Sequence, residues 1–227
     1  STLLASSAAS DVYKRQMMMY YFTYVLGNPK VMSLFGLVSM AGSLAGNILI
    51  MPALYRALHS KGHTAAAGHL LCGISCLLVY VVTPGGLAFW VLMFCAAAFM
   101  GTFSSAQYSM LGDAVDYGEW KVGLRCDGFL SSFTSLALKT GSAIGPALGL
   151  YLINACHYVP NAVQPPAVIT MMKANISLIP GITALVSAAL IFSLYKLDEP
   201  RHEKIRQALQ DPVSYTHLRA HETSAHL

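Results

Sequence analysis

The sequence predicts an all-α membrane protein with five complete spans and one partial span. Three observations carry this. The 227 residues are 55% hydrophobic and 11% charged, with a mean hydropathy of +0.54, whereas a soluble domain carries about 25% charged residues. The charges are pushed to the ends: 12 of the Lys, Arg, Asp and Glu residues fall in 1–15 and 197–227, leaving 12 for the 181 residues between. The interior divides into apolar runs long enough to cross a bilayer, about 20 residues at a rise of 1.5 Å each. So thin a polar covering excludes a cytosolic enzyme, a nucleic-acid-binding module and a disordered tail. The net charge of +4 therefore matters only through where the charges lie.

The first run, 17–27 (MMMYYFTYVLG), is apolar and aromatic but about half the required length, and it reads as the end of a cut helix. The run 31–55 is the first complete span. It carries Gly42 and Gly46 at i, i+4 beside Ser39 and Ser43. Runs 65–83 and 86–112 contain no charged residue and are separated by Thr83-Pro84-Gly85-Gly86, a turn signal that makes them antiparallel neighbours. The fourth span is 128–156 and the fifth 167–195.

Loop charges set the orientation. Arg56 and Lys61 follow the first complete span, Lys121 and Arg125 follow the third, and Lys196, Arg201, Lys204 and Arg206 follow the last. The alternate connections, at 84–86 and 157–166, carry no Lys or Arg. Eight basic residues on one side against Lys30 on the other place the basic loops and the C-terminus in the cytoplasm.

The two chain ends fall outside this pattern. Residues 1–16 lack the basic start and apolar core of a signal peptide, and 210–227 fit no periodic template. Both resemble translated adapter or cloning sequence. The native unit expected is 17–209, and the metal-like spacing of His217 and His221 is set aside with the tail. Cys72, Cys76, Cys95, Cys126 and Cys156 form no CxxC pair and lie mostly in or beside apolar runs, so they read as small hydrophobes rather than a disulfide frame. No metal site and no cofactor are expected.

Lys139 is the most informative residue. It is the sole formal charge between Asp127 and Lys173 and lies near the middle of its span, where an ammonium costs roughly 2.5–3.5 kcal/mol on insertion scales. Such a group faces a protein interior or a water-filled cavity unless it snorkels to the interface. With about 11 residues to one end of the span and 17 to the other, snorkelling would need a reach of well over a turn, so the cavity reading is preferred. Gly141, Gly145 and Gly149 follow on one helical face. Like Gly42 and Gly46, they are close-packing positions, either sliding surfaces of a moving transporter or static contacts. The stretch DAVDYGEWKVGLRCDG at 113–128 holds Asp113, Asp116, Glu119 and Asp127 against Lys121 and Arg125. Asp113 and Asp116 share a helix face. The stretch is either an ion-pair gate or an ordinary solvated loop.

The run DAVDYGEWKVGLRCDGFLSSFTSLALKTGSAIG resembles the signature of the glycoside-pentoside-hexuronide:cation symporters, the melibiose-permease-like branch of the major facilitator superfamily. Asp113, Asp116, Tyr117, Glu119, Gly123, Arg125, Asp127, Gly128, Lys139 and Gly141 match it. YYFTYVLGNP at 20–29, the Pro52, Arg56 and Lys61 loop, the Tyr158-Val159-Pro160-Asn161 turn with Gln164, and YKLDEPRHEKI at 195–205 agree as well. The resemblance implies the C-terminal six-helix half of a twelve-helix transporter, its first helix truncated, that needs the N-terminal six-helix half as partner and does not act alone. It implies a bacterial cytoplasmic (inner) membrane location, a sugar or glycoside substrate and Na+, H+ or Li+ as coupling cation. Lys139 then lies at the cavity shared by sugar and cation. Ser104, Gln107 and Thr134 fall where the family lines its sugar site, and Asp113, Asp116, Tyr117, Glu119, Arg125 and Asp127 form a cytoplasmic gate network. Melibiose permease itself has an aromatic residue where this chain has Ser104, so the same sugar is not implied. A relative carrying another solute, such as a lipid or drug, stays open. The rival from another class, an intramembrane enzyme, has its nearest motif in Met110-Leu111-Gly112-Asp113, which lacks the first Gly of GxGD; HExxH and GxSxG are also missing.

Overall fold

The computed structural model describes residues 17–123, 127–195 and the single positions 205 and 207. Every regular element among them is helical. Helix α1 covers 17–24, α2 Val31–Leu58, α3 Lys61–Val79, α4 Leu87–Val122 and α5 Asp127–Ala155. Helices α6 (Pro166–Ile176) and α7 (Leu178–Leu194) together make the last crossing. Five crossings are long and apolar enough to span a membrane, which gives an all-α integral membrane protein. Arg125, the tail bases Lys196, Arg201, Lys204 and Arg206, and the ends 1–16 and 210–227 lie outside the described residues.

One helix end and two helix interiors depart from the sequence expectation. The third complete span does not stop at Gly112. α4 continues through Asp113, Asp116, Tyr117, Glu119 and Lys121, so most of the expected 113–128 loop is helix. Apolar content ends at 112, but the helix ends only at a cap: Gly123 at φ +74°, whose N–H bonds Glu119 O at 2.8 Å. The 36 residues of α4 reach about 54 Å against a hydrocarbon core of about 30 Å, so its acidic end projects past the lipid. The last crossing is broken at Ser177 (φ −124°, ψ −61°). Pro180 lacks the N–H that would bond Ile176 O, and the Ser177 hydroxyl turns back to Lys173 O at 2.6 Å. In α2, residues Gly46–Ile50 form a π-turn.

The π-turn belongs to the closest seam in the fold. A Cβ on Gly46 would collide with the Ala98 carbonyl of α4. One on Gly42 would stand 2.7 Å from Phe94 O, and one on Gly101 2.5 Å from Ser43 O. The glycines therefore let α2 and α4 touch backbone to backbone. Thr102 Oγ1 lies 3.1 Å from both Gly46 O and Ala98 O, beside the bond that Gly46 O accepts from the Met51 N–H in the π-turn. Ser105 Oγ donates to Asn47 Oδ1 at 2.6 Å. These contacts tie α2 to α4 along the seam.

The main core surrounds α1. Met17, Met18, Tyr21 and Phe22 are buried. Tyr21 stacks on Phe89 at 5.8 Å and Phe22 on Trp90 at 6.3 Å, while Ile153, Val168 and Met172 close the far side. A second cluster joins Ala65, Ala66 and Ile191 to Phe103 and Ala106 between α3, α4 and α7.

Candidate functional site

The two ends of the bundle carry different chemistry. At one end α3 starts at Lys61 behind the Ser60 N-cap, and the acidic extension of α4 passes beside it. Lys61 Nζ lies 2.9 Å from both Asp113 oxygens, with the side chains 19% and 9% exposed. The low exposure strengthens the attraction relative to a surface pair. Glu119 is buried as well, two turns further on. Lys121 Nζ sits 5.8 Å from the centroid of the Tyr117 ring, Asp116 is half-buried, and Asp127 is exposed in the first turn of α5, where a carboxylate answers the helix dipole.

The structure therefore brings Asp113 to Lys61, a residue that the sequence placed in a basic, family-like loop but not in the gate network. A signal was present: four acids against two bases in 113–127 leave an acidic surplus, and a basic loop at the same end can answer it.

At the opposite end Tyr158, in the connection between α5 and α6, donates to Tyr24 Oη at 2.9 Å, and Asn161 N reaches the same oxygen at 3.1 Å. Burial, followed by the Tyr24 hydrogen bond, holds the Tyr158 phenol above its ordinary value. Gln164 folds the connection on itself through Val159 O at 2.5 Å and Ala162 O at 2.8 Å. This geometry puts 24 and 158 at one end of the bundle and 61 and 113 at the other, the alternation that the loop charges require.

Between the ends, Lys139 is exposed on α5 rather than enclosed by this chain. Ser142 Oγ donates to Lys139 O at 2.9 Å. Thr134 is half-buried one turn before Lys139 and spends its hydroxyl on Leu130 O at 2.8 Å. On α4, Ser104 and Gln107 are half-buried at i, i+3, and Tyr108, one turn from Ser104, is 70% exposed. Gly149 is buried, while Gly141 and Gly145 are half-buried. Two further polar groups escaped the sequence reading. His69 of α3 is buried with neither ring nitrogen bonded among the described residues, its ring 3.6 Å from that of Phe103. Asn175 of α6 is fully buried, its Nδ2 3.2 Å from Gly149 O.

Residues 7–199 match the profile of a family described as MFS/sugar transport protein. The match starts at residue 7, inside the segment set aside above. The chain is 30% identical over 200 residues to a Salmonella typhimurium protein described as a candidate sulfoquinovose importer, covering 87% of this chain and 41% of that one. It is 31% identical over 182 residues to the inner membrane symporter YicJ of Escherichia coli, covering 79% and 39%. To the glucuronide carrier protein homolog of Escherichia coli it is 27% identical over 189 residues, covering 82% and 41%. The chain thus spans about two fifths of the length of these curated relatives.

Proposed function

The chain belongs to the MFS/sugar transport protein family, and from that premise we propose that it forms part of a sugar:cation symporter working by alternating access. The protein is a transporter by family. The finer reading adds a glycoside, pentoside or hexuronide as substrate, Na+, H+ or Li+ as coupling ion, and the bacterial inner membrane as location with the C-terminus cytoplasmic. The observation that carries it is Lys139, a lone formal charge at mid-span of α5 that stays exposed in this chain. A charge at that depth is retained for a protein partner or a watery cavity. We assign that cavity to the face that α4 and α5 present to a preceding six-helix half, with Ser104, Gln107 and Thr134 beside it.

Coupling follows from electrostatics. The ammonium of Lys139 answers carboxylates contributed by the other half, cation arrival competes for those carboxylates, and the sugar site changes with the pairing. The inner-end charges of Asp113, Asp116, Glu119, Arg125 and Asp127, joined by Lys61, close the cytoplasmic side in one state and part in the other. The test is uptake by proteoliposomes containing the complete transporter, with and without an inward cation gradient. The substrate panel is a hexuronide, a neutral glycoside and a sulfonated sugar. Gradient-dependent accumulation of a panel member supports symport, and equal accumulation without the gradient rejects it.

A further inference from the structure

Helix α5 is divided in two by its own burial pattern. Its buried residues are Pro146, Gly149 and Ile153, and all lie on one stripe of the outer half. Ile153 enters the main core. Gly149 O accepts from Asn175 Nδ2 at 3.2 Å, and the same amide nitrogen lies 3.7 Å from Met17 Sδ, so one fully buried side chain ties α5 to α6 and α1. Before Pro146 the pattern reverses. Residues 127–145, which carry Lys139, include none that is buried; Leu136 is 62% and Ile144 53% exposed.

The boundary between the halves is a backbone weakness. Pro146 has no N–H to give Ser142 O and presses its ring on that carbonyl. The Ser142 side chain bonds back to Lys139 O at 2.9 Å, a local side-chain bond that competes with the helix ladder. Proline is where sharp helix kinks form.

We infer that α5 is a hinged helix. Asn175 anchors its outer arm, Pro146 is the pivot, and the inner arm 127–145 swings to carry Lys139 between the two access states. The inference rests on the assignment of Lys139 to the cavity, but the hinge can be measured without it. Asn175 acts here as a positioning residue, since it fixes the rotation of α5 through Gly149 and touches no substrate. Leu136 lies ten residues from the pivot, about 15 Å along the axis, so a kink of roughly 20° moves it by about 5 Å.

The experiment is a spin-label distance between Leu136→Cys and Phe192→Cys of α7, with Tyr151→Cys and Val163→Cys as the outer-arm control. It uses the complete transporter in a cysteine-free background. Without ligand, the inner-arm pair should show two distances about 5 Å apart, while the control pair shows one. Pro146→Ala, which restores the N–H, should collapse the inner-arm pair to one distance and slow uptake at least tenfold with equilibrium sugar binding unchanged. Asn175→Leu should broaden the control pair, and Asn175→Gln should restore part of its sharpness. A single inner-arm distance in the wild type, or two distances and full uptake in Pro146→Ala, would overturn the hinge. Should the sugar reading fail while the ligand-free distances behave as stated, the hinge stands and only its cargo changes.

Discussion

Lys61 and Asp113 are 52 residues apart in sequence and form a two-pronged ion pair at 2.9 Å where α3 begins and the apolar part of α4 ends. Removing one partner strands a charge of low exposure, which costs more than removing both. Lys61→Gln and Asp113→Asn should each slow transport and lower thermal stability, and the double variant should recover much of both. A coupling energy of roughly 0.5–3 kcal/mol is expected from the thermal double-mutant cycle. Strict additivity of the two singles would show that the pair contributes nothing as a pair.

Arg125 tests the proposed gate from the stretch between α4 and α5. Arg125→Ala in the complete transporter should slow cycling and leave equilibrium sugar binding intact, because binding samples the mid-span site and cycling needs the gate. Loss of binding with intact cycling would reject its gate role.

The orientation proposed from the loop charges is checked by labelling. A cysteine at exposed Lys121 should react only from the cytoplasm. One at Val163, 98% exposed in the α5–α6 connection, should react only from outside. The reverse pattern would invert the topology.

The seam between α2 and α4 is fixed by glycine. Gly46→Val should lower the melting temperature by several degrees, since overpacking costs about 1–3 kcal/mol and here the obstacle is the Ala98 backbone. Gly36→Val, where an added Cβ meets nothing within 4 Å, is the control. Equal stability of the two variants would contradict the backbone contact.

Much of this architecture was legible in the sequence because lipid solvation leaves a strong signature: 20-residue apolar runs, sparse charge and alternate basic loops. The misses share a cause. Apolar content reports where lipid ends, whereas helix ends are set by caps and breaks. So α4 overran Gly112 to reach Gly123, and the last crossing broke at Ser177 within a run expected as one span. Lys139 announced itself by isolation. Asn175 did not, because a lone amide in an apolar helix looks the same whether it faces lipid, a neighbour or a cavity, and only the placement of Gly149 O distinguishes them. The Lys61–Asp113 pair needed the third dimension for the same reason.

The proposed coupling of cation to sugar runs through the charge on Lys139. It is tested most directly by cation-gradient-driven uptake of a labelled glycoside or hexuronide in the complete transporter carrying Lys139→Ala or Lys139→Arg, beside the wild type. Uphill accumulation should be abolished in Lys139→Ala and should not be restored by Lys139→Arg, whose planar guanidinium is larger and differently hydrated. Wild-type accumulation in either variant would contradict that coupling and reduce Lys139 to a snorkelling residue.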